Sequence, residues 1–326
     1  MTDAQAENAA AAAASLTAAR RVPTAPSRGG NPGGRRRPRH GWAPYLYIAP
    51  YAVLLLAFGI GPALYAVYSS LTTYGIAGGT TWAGLSNWVA VANDYRLGAS
   101  VVNVGKYLLI WLPLLVAVVV TLALALNARQ GRFTRLMTLV YYIPGAVTGS
   151  AAALVWLYML SPGLSPFTPI LEALNITSVT AAVDTDRLPF VLAIMGTAIH
   201  AGSWIVILYG ALAAIPSDYL EAARIDGATS FQIIRYIKLP VIRHYLVLVL
   251  VSSFAAGTQV FVEPAVLSVG APGQISPTWS TNQLAYYFAT QFGQFGQAAA
   301  LSVGLFSIGL IAAIIVLTRT NFYTKD

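Results

Sequence analysis

Residues 215–240 read IPSDYLEAARIDGATSFQIIRYIKLP, a polar stretch between two long apolar runs. The pattern predicts a helix–turn–helix. Ser217 is expected to cap the first helix, and Gly227 to end it in a left-handed turn. Thr229 begins the second helix with a glutamine three positions later, which is a capping-box pattern. Pro240 is expected to close the unit, because the residue before a proline is disfavoured in helical geometry.

Apolar runs dominate the rest of the chain. Of 326 residues, 57% are hydrophobic and only 9% are charged, whereas soluble domains carry about 25% charged residues. A membrane-spanning helix needs about 20 apolar residues, and the runs are continuous rather than alternating, which makes a β-barrel a poor alternative. The sequence therefore predicts an all-α polytopic membrane protein with six spans. They lie near Pro44–Leu71, Val102–Leu126, Met137–Leu160, Leu188–Ala214, Tyr245–Val269 and Ala298–Thr318.

The basic residues predict the orientation of these spans, since short Lys- and Arg-rich loops stay in the cytoplasm. All but three of the 19 basic residues fall in the N-terminal tail, the second and fourth connections and the C-terminal end; the exceptions are Arg96, Lys106 and Arg187. We therefore expect a bacterial inner-membrane protein in which both termini and the 217–240 loop lie on the cytoplasmic side. Topology and anionic lipid account for the net charge of +8 without nucleic acid.

Composition predicts four regions along the chain. Residues 1–41 are rich in Ala, Pro, Gly and Arg and are expected to be a disordered cytoplasmic tail. Residues 42–101 hold the first span and an external loop. A five-helix core follows over 102–318 and carries the 217–240 loop, and 319–326 forms a second cytoplasmic tail.

The 217–240 loop resembles the "EAA" motif of binding-protein-dependent ABC importer permeases. The matching positions are Glu221-Ala222-Ala223, then Gly227 after three residues, Ile237 after nine more, and Leu239-Pro240 after one more. The resemblance extends over about Trp42–Thr318, including Pro50 and Pro62 in the first span. It points to the sugar-transporting, maltose-type branch with type I importer architecture.

The resemblance implies how such a chain works. In that family the loop lodges in a cleft of a separate ATPase, so that ATP-driven closure of the ATPase dimer changes which side the helices open to. Glu221 would make the polar contact, Ala222 and Ala223 would allow close approach, and Gly227 would supply the turn. The implied coupling set also includes Asp226, Ile237, Leu239 and Pro240. The implied partners are a second, different permease, two ATPase subunits that bind ATP and magnesium, and an external binding protein.

The chain itself shows no nucleotide-binding loop, which requires a lysine after glycine and before Ser or Thr. Lys106 follows a glycine but precedes Tyr107, and neither Lys238 nor Lys325 has a glycine before it. We therefore expect a non-catalytic membrane subunit without cofactor or metal of its own.

Polar and small residues inside the fourth and fifth spans mark a candidate substrate pathway, since polar groups are costly in lipid. Eight positions resemble the sugar-contacting stripe or adjoin it: Gly196, His200, Ser203, Ser253, Gly257, Gln259, Val260 and Glu263. Gly257 and Val260 stand where the family has amides. His200 is equally open to a role as a packed interhelical residue, and Ser253 and Gly257 to close helix packing.

Glu263 has two readings. A carboxylate inside a span costs about 2.5–3.5 kcal/mol on insertion scales, which favours a functional position lining the cavity. Pairing with Lys106 on the second span is the alternative. Pro264 follows directly, and is expected to free a carbonyl and to bend the helix there.

Two other functions remain open on sequence grounds. A secondary, ion-coupled transporter usually shows inverted repeats and broken helices, and neither is evident. A membrane enzyme would cluster its histidines, yet His40, His200 and His244 are scattered. Within the permease family, a non-sugar solute such as glycerol phosphate is the alternative cargo.

Overall fold

The computed structural model describes residues 43–74, 79–129, 131–147 and 149–319. The chain divides into two units, Met1–Leu55 and Leu56–Asp326. In the first unit, helix α1 covers Ala43–Leu55 and contains Pro50. The predicted disordered tail 1–41 lies outside the described residues, as does the C-terminal tail beyond Arg319.

The second unit is almost entirely helical. In chain order it comprises a π-helical segment π1 (Leu56–Ile60), α2 (Gly61–Ser70), β1 (Thr72–Tyr74), β2 (Thr80–Trp82), α3 (Ser86–Ala92), α4 (Tyr95–Ala128), α5 (Arg132–Ala146), α6 (Gly149–Met159), α7 (Thr168–Ala173), α8 (Val179–Ala182), α9 (Leu188–Ala213), α10 (Ser217–Ile225), α11 (Ser230–Ile233), a second π-helical segment π2 (Ile234–Lys238), α12 (Leu239–Thr258), α13 (Val262–Gly270), α14 (Thr281–Gln291) and α15 (Phe295–Arg319). The strands pair antiparallel as a small hairpin. The connections 161–187 and 270–296 contain the short helices α7, α8 and α14.

Five helices of the described chain are long and apolar enough to cross a membrane, and a bent pair makes a possible sixth span. The five cover Tyr45–Ser70, Tyr95–Ala128, Leu188–Ala213, Ser230–Thr258 and Phe295–Val316. Four of them coincide with the predicted first, second, fourth and sixth spans. The second begins earlier than predicted, because Asp94 caps the helix by accepting a hydrogen bond from the Arg96 amide at 2.8 Å.

The predicted third span, Met137–Leu160, is wrong as a single helix. Helices α5 and α6 cover this region and are bent by 101° relative to each other. Val147 leaves helical geometry with ψ 104°, and Gly149 has φ +62°, which a residue with a side chain rarely adopts. The break therefore follows from backbone geometry that an apolarity pattern does not register.

The predicted fifth span, Tyr245–Val269, is wrong at both ends. Its helix is continuous from Ser230 to Thr258, then stops, and α13 begins at Val262. Pro264 has no amide hydrogen to give to the carbonyl of Val260, four residues earlier. That carbonyl instead accepts a hydrogen bond from the Ser280 hydroxyl at 2.7 Å. Pro264 thus leaves the Val260 carbonyl without a helical hydrogen bond, as predicted. Ser280, in the 270–296 connection, donates to this carbonyl instead.

Both π-helical segments end two residues before a proline, Pro62 and Pro240 respectively. A proline ring clashes with the carbonyl four residues earlier, and the wider π turn relieves such crowding inside a continuing helix. Lys238 and Leu239 keep right-handed helical dihedrals. The prediction that Pro240 closes the helix–turn–helix is therefore wrong, and the second helix of that unit continues into the fifth span.

The main core forms around α4 and α9. Residues of α4 four positions apart are at most 1% exposed, beginning with Trp111 and Leu115 and continuing through Val119 and Ala123. This spacing places them on one helical face, as an amphipathic pattern requires. Helix α9 covers that face and packs on its other side against α5. The core thus holds the fourth span between the second and the third.

A second, smaller core joins α3, α14 and α15. Asn87 donates from its amide to the carbonyls of Ser70 and Thr72 at 3.0 and 2.9 Å, which ties α3 to the end of α2. Gly296 of α15 faces this contact so closely that a Cβ there would lie 2.5 Å from the Asn87 amide nitrogen. Arg96 at the start of α4 binds Asp94 and lies over rings of α14.

Candidate functional site

The turn of the predicted coupling loop is built as the sequence indicates. Helix α10 ends at Ile225, and Gly227, two residues later, has a φ of +82°. The Gly227 amide donates to the carbonyl of Arg224 at 3.0 Å, and the Ala228 amide donates to that of Ala223 at 2.9 Å. These two bonds are the Schellman pattern, in which a left-handed residue satisfies the last carbonyls of a helix. Gly227 is therefore required by the turn geometry.

The second helix of the loop begins with the predicted capping box. Thr229 accepts from the Gln232 amide at 3.3 Å, and its own amide donates to the Gln232 side chain at 2.7 Å. The first helix lacks its predicted cap: Ser217 already lies inside α10, and its hydroxyl donates to Asp218 instead. Pro216, with ψ 137°, takes the position at which the cap was expected.

Most of the predicted coupling residues are accessible. Glu221, Ala222, Asp226 and Gly227 are exposed and Ala223 is half-buried. Ile237 lies across the turn from Asp226 and Gly227, since the three line one cavity of about 280 Å³. Leu239 is half-buried and Pro240 exposed, both at the start of α12. The structure thus brings six of these eight residues to one small structural unit, with the last two leading into the span.

The loop is also tied to the end of the second span. The Lys238 ammonium donates to the Asn127 side-chain oxygen at 2.6 Å. Both line a cavity of about 530 Å³ together with Glu221, Arg224 and Arg129. Within the described ranges, no cation lies within 4.0 Å of the Glu221 carboxylate. Glu221 is therefore exposed, and no described residue forms an ion pair with it.

The candidate pathway residues separate into two groups. Gly196 and His200 on α9 and Gly257 on α12 surround the indole of Trp111, which lies on α4. Ser253, one turn before Gly257, is buried. These four positions therefore meet at the crossing of three helices.

The remaining members of the set lie elsewhere. Ser203 is exposed on α9. Gln259 and Val260 lie in the break after α12. Gln259 is exposed, and its backbone carbonyl accepts a hydrogen bond from the Asn282 side-chain amide at 3.1 Å. Placing Gln259 inside the fifth span was therefore wrong, because the helix ends one residue before it.

Glu263 lies in the first turn of α13, where the helix dipole favours a carboxylate. It interacts electrostatically with Tyr107 on α4 and His200 on α9. No ion pair joins it to Lys106, since the pairs found in the described ranges are Arg96–Asp94 and Arg187–Asp184. Glu263 thus lies within electrostatic reach of the helix crossing, and pairing with Lys106 is not observed.

Sequence reasoning missed Tyr107 and Trp111. Tyr107 stacks on Trp111 with ring centroids 5.2 Å apart and an interplanar angle of 11°. Tyr107, Trp111 and Leu115 follow one another at four-residue spacing, which is typical of the core-facing side of a helix. The available signal was an aromatic pair in the middle of a span opposite two glycines that stand at pathway positions.

Comparison with known proteins shows to which family the chain is similar. A family model described as "Binding-protein-dependent transport system inner membrane component" matches residues 117–321. The probable starch degradation products transport system permease protein AmyD of Thermoanaerobacterium thermosulfurigenes is 25% identical over 275 residues, covering 84% of this chain and 91% of that protein. The trehalose/maltose transport system permease protein MalF of Thermococcus litoralis is 27% identical over 280 residues, covering 85% and 93%.

A solved structure shares the fold. One chain of the bacterial alginate ABC transporter, crystallised with an alginate pentasaccharide-bound periplasmic protein, matches with a TM-score of 0.72 at 18% identity. The match covers 87% of this chain and 96% of that chain. The two chains therefore share a fold over most of their lengths.

Proposed function

Since the chain belongs to the family of binding-protein-dependent transport system inner membrane components, we propose that it is the permease subunit of an ATP-driven ABC importer for carbohydrate. It is a multi-pass inner-membrane protein. The carbohydrate cargo is supported by relatives whose names specify starch degradation products and trehalose or maltose. The structural neighbour belongs to an alginate importer, which is a further carbohydrate system.

The coupling mechanism is supported mainly by the helix pair at 217–240, which is exposed and whose turn is held by hydrogen bonds on both sides. The Schellman turn at Gly227 and the capping box at Thr229 fix both sides of the turn, so the pair moves as a body. Four large hydrophobic side chains project from it, with Tyr219 66%, Ile225 86%, Phe231 68% and Tyr236 69% exposed. Such side chains on a polar loop are suited to a protein partner. That partner is an ATPase, and Glu221 is its polar contact.

The remaining assembly follows from this role. The chain carries no catalytic site for ATP hydrolysis; two ATPase subunits bind ATP and magnesium. A second permease completes the pathway, and an external binding protein delivers the sugar. The loop and both termini face the cytoplasm, as the distribution of Lys and Arg predicts.

The test reverses the charge at Glu221 in the assembled importer. Glu221→Lys should insert normally but lose ATP-dependent sugar uptake, since a cation replaces the polar contact with the ATPase. Gly227→Pro should do the same, because proline cannot take the φ of +82° found there. Asp218→Lys is the matched control: it reverses a charge one turn earlier on the same helix and should keep most of the uptake.

The measurements are uptake into proteoliposomes, substrate-stimulated ATP hydrolysis and co-purification of the ATPase. Normal uptake in Glu221→Lys would remove the coupling role of this loop. Uptake by the wild-type chain that follows an ion gradient and ignores ATP would instead make the protein a secondary transporter.

A further inference from the structure

The indole of Trp111 occupies the crossing of three spans. It is 1% exposed. One face stacks on the Tyr107 ring, and the His200 ring lies 5.5 Å away at an angle of 58°. An aromatic residue of α4 thus lies where the candidate pathway positions of α9 and α12 converge.

Two glycines make room for this indole. A Cβ on Gly196 would lie 3.0 Å from both the Trp111 Nε1 and the Tyr107 hydroxyl oxygen. A Cβ on Gly257 would lie 2.5 Å from Leu108 Cδ2 and 2.7 Å from Trp111 Cζ3. A side chain at position 257 would therefore force Leu108 and Trp111 to shift, and one at position 196 would require the indole or the phenol to move by a few tenths of an ångström. The polar groups closest to Gly196 are the Trp111 Nε1 and the Tyr107 hydroxyl, both on α4.

Those groups include a donor without an acceptor. The Nε1–H of Trp111 is buried and has no hydrogen-bond partner within the described part of the chain. Buried donors are paired in nearly all native structures, and an exception requires a reason. The Tyr107 hydroxyl lies over the same glycine, so two donors converge on the notch at Gly196.

A carboxylate complements these donors. Glu263 interacts electrostatically with Tyr107 and His200, and no cation of the described residues lies within 4.0 Å of it. Sugar hydroxyls both donate and accept, so indole, phenol and carboxylate together match an uncharged sugar. A sugar that carries its own carboxylate would meet uncompensated like charge, which costs affinity.

Building on the proposed function, we propose that Trp111, Tyr107 and Glu263 recognise the transported sugar and select uncharged over anionic carbohydrates. The indole is closed off in this conformation, so the site is exposed when α4 and α12 separate during transport. The Trp111 N–H then donates to a sugar hydroxyl, Glu263 accepts from another, and the indole face packs against the apolar face of the sugar ring.

The first test removes one hydrogen-bond donor and keeps an aromatic ring. Trp111→Phe is assayed in proteoliposomes that contain the complete importer and its binding protein, with maltose and trehalose as uncharged probes and digalacturonate as the anionic probe. The KM for the transported uncharged probe should rise about tenfold, the usual loss for one hydrogen bond. Trp156→Phe removes an indole N–H from α6 and is the matched control. An unchanged KM in Trp111→Phe overturns the proposal.

The second test uses the contact between Gly257 and the indole. Gly257→Ala should lower uptake by displacing Trp111, and the double variant Gly257→Ala/Trp111→Phe should recover part of that loss, because the smaller ring leaves room for the methyl group. Equal loss in the single and double variants would show that the glycine acts independently of the indole.

The third test concerns charge. Wild type should transport an uncharged probe in preference to digalacturonate, and Glu263→Gln should narrow that preference about tenfold, the effect of removing a close like charge. Efficient ATP-dependent uptake of digalacturonate alone would overturn the selectivity while leaving the importer function intact. ATP-independent behaviour, or no uptake of any probe, would overturn the proposed function and the selectivity together.

Discussion

Gly202 on α9 is the position at which one added methyl group should do the most damage. A Cβ there would overlap the carbonyl oxygen of Tyr141 on α5, and would lie 3.0 Å from both the Tyr141 carbonyl carbon and the Tyr142 Cα. The contact is reciprocal, since a Cβ on Gly145 of α5 would lie 2.8 Å from the Ile199 carbonyl oxygen. The two backbones therefore touch directly, as small residues permit between membrane helices.

The cost of Gly202→Ala follows from which atoms block the methyl group. Overpacking costs about 1–3 kcal/mol, and the upper part of this range applies because backbone rather than a flexible side chain must move. Replacing glycine by alanine inside a helix returns roughly 0.5–1 kcal/mol of backbone entropy. The net expectation is a loss of about 1–2 kcal/mol in the free energy of unfolding, with α5 displaced from α9.

Gly210 provides the control on the same helix. A Cβ there meets no atom within 4 Å, so Gly210→Ala should stabilise by about 0.5–1 kcal/mol through helix propensity alone. Denaturant unfolding of the purified protein in detergent, followed by circular dichroism, measures both changes. Equal shifts in the two variants would refute the reasoning, because they would show that α5 and α9 are not in backbone contact.

Two further predictions concern polar contacts. The Arg96 guanidinium lies within 5.5 Å of four aromatic ring centroids and pairs with Asp94 at 2.7 Å, so Arg96→Lys should destabilise by about 1–2 kcal/mol in thermal unfolding. This pairing holds the pKa of Asp94 below its ordinary value; its stabilisation is therefore present above about pH 4 and lost as pH falls through the folded-state pKa. Asp94→Asn should remove this acid dependence of the melting temperature, and an unchanged pH profile would contradict it. Lys238→Gln should lower the melting temperature by losing a charged hydrogen bond to Asn127, whereas Asn127→Asp should raise it; the opposite order would contradict the contact.

Features determined by neighbouring residues were predictable from the sequence. The left-handed turn at Gly227 and the capping box at Thr229 were both predicted, because each depends on residues within four positions. The fourth span was also predicted to within one residue. By contrast, the bend at Gly149 and the π turn before Pro240 depend on backbone geometry that apolarity leaves unspecified.

The centre of the candidate site was not predictable in the same way. Trp111 becomes notable only because Gly196 and Gly257, on two other helices, face the same indole. Neither glycine indicates this by its local sequence, and a stripe of small residues reads equally well as close packing. Contacts of that kind join residues more than eighty positions apart, so they appear only once the helices are assembled.

The π turn before Pro240 connects the two parts of the proposed mechanism. Had the helix ended at this proline, movement of the coupling loop would have reached the fifth span through a hinge. Instead a single helix runs from Ser230 to Thr258. Its first turn is capped at the loop by Thr229, and its last turn contains Gly257 against Trp111. A displacement imposed on the loop is therefore carried along a rigid element to the contact that closes the sugar site. A helix-breaking glycine pair inserted between Lys238 and Gly257 should accordingly separate ATP hydrolysis from uptake while both ends of the helix remain intact.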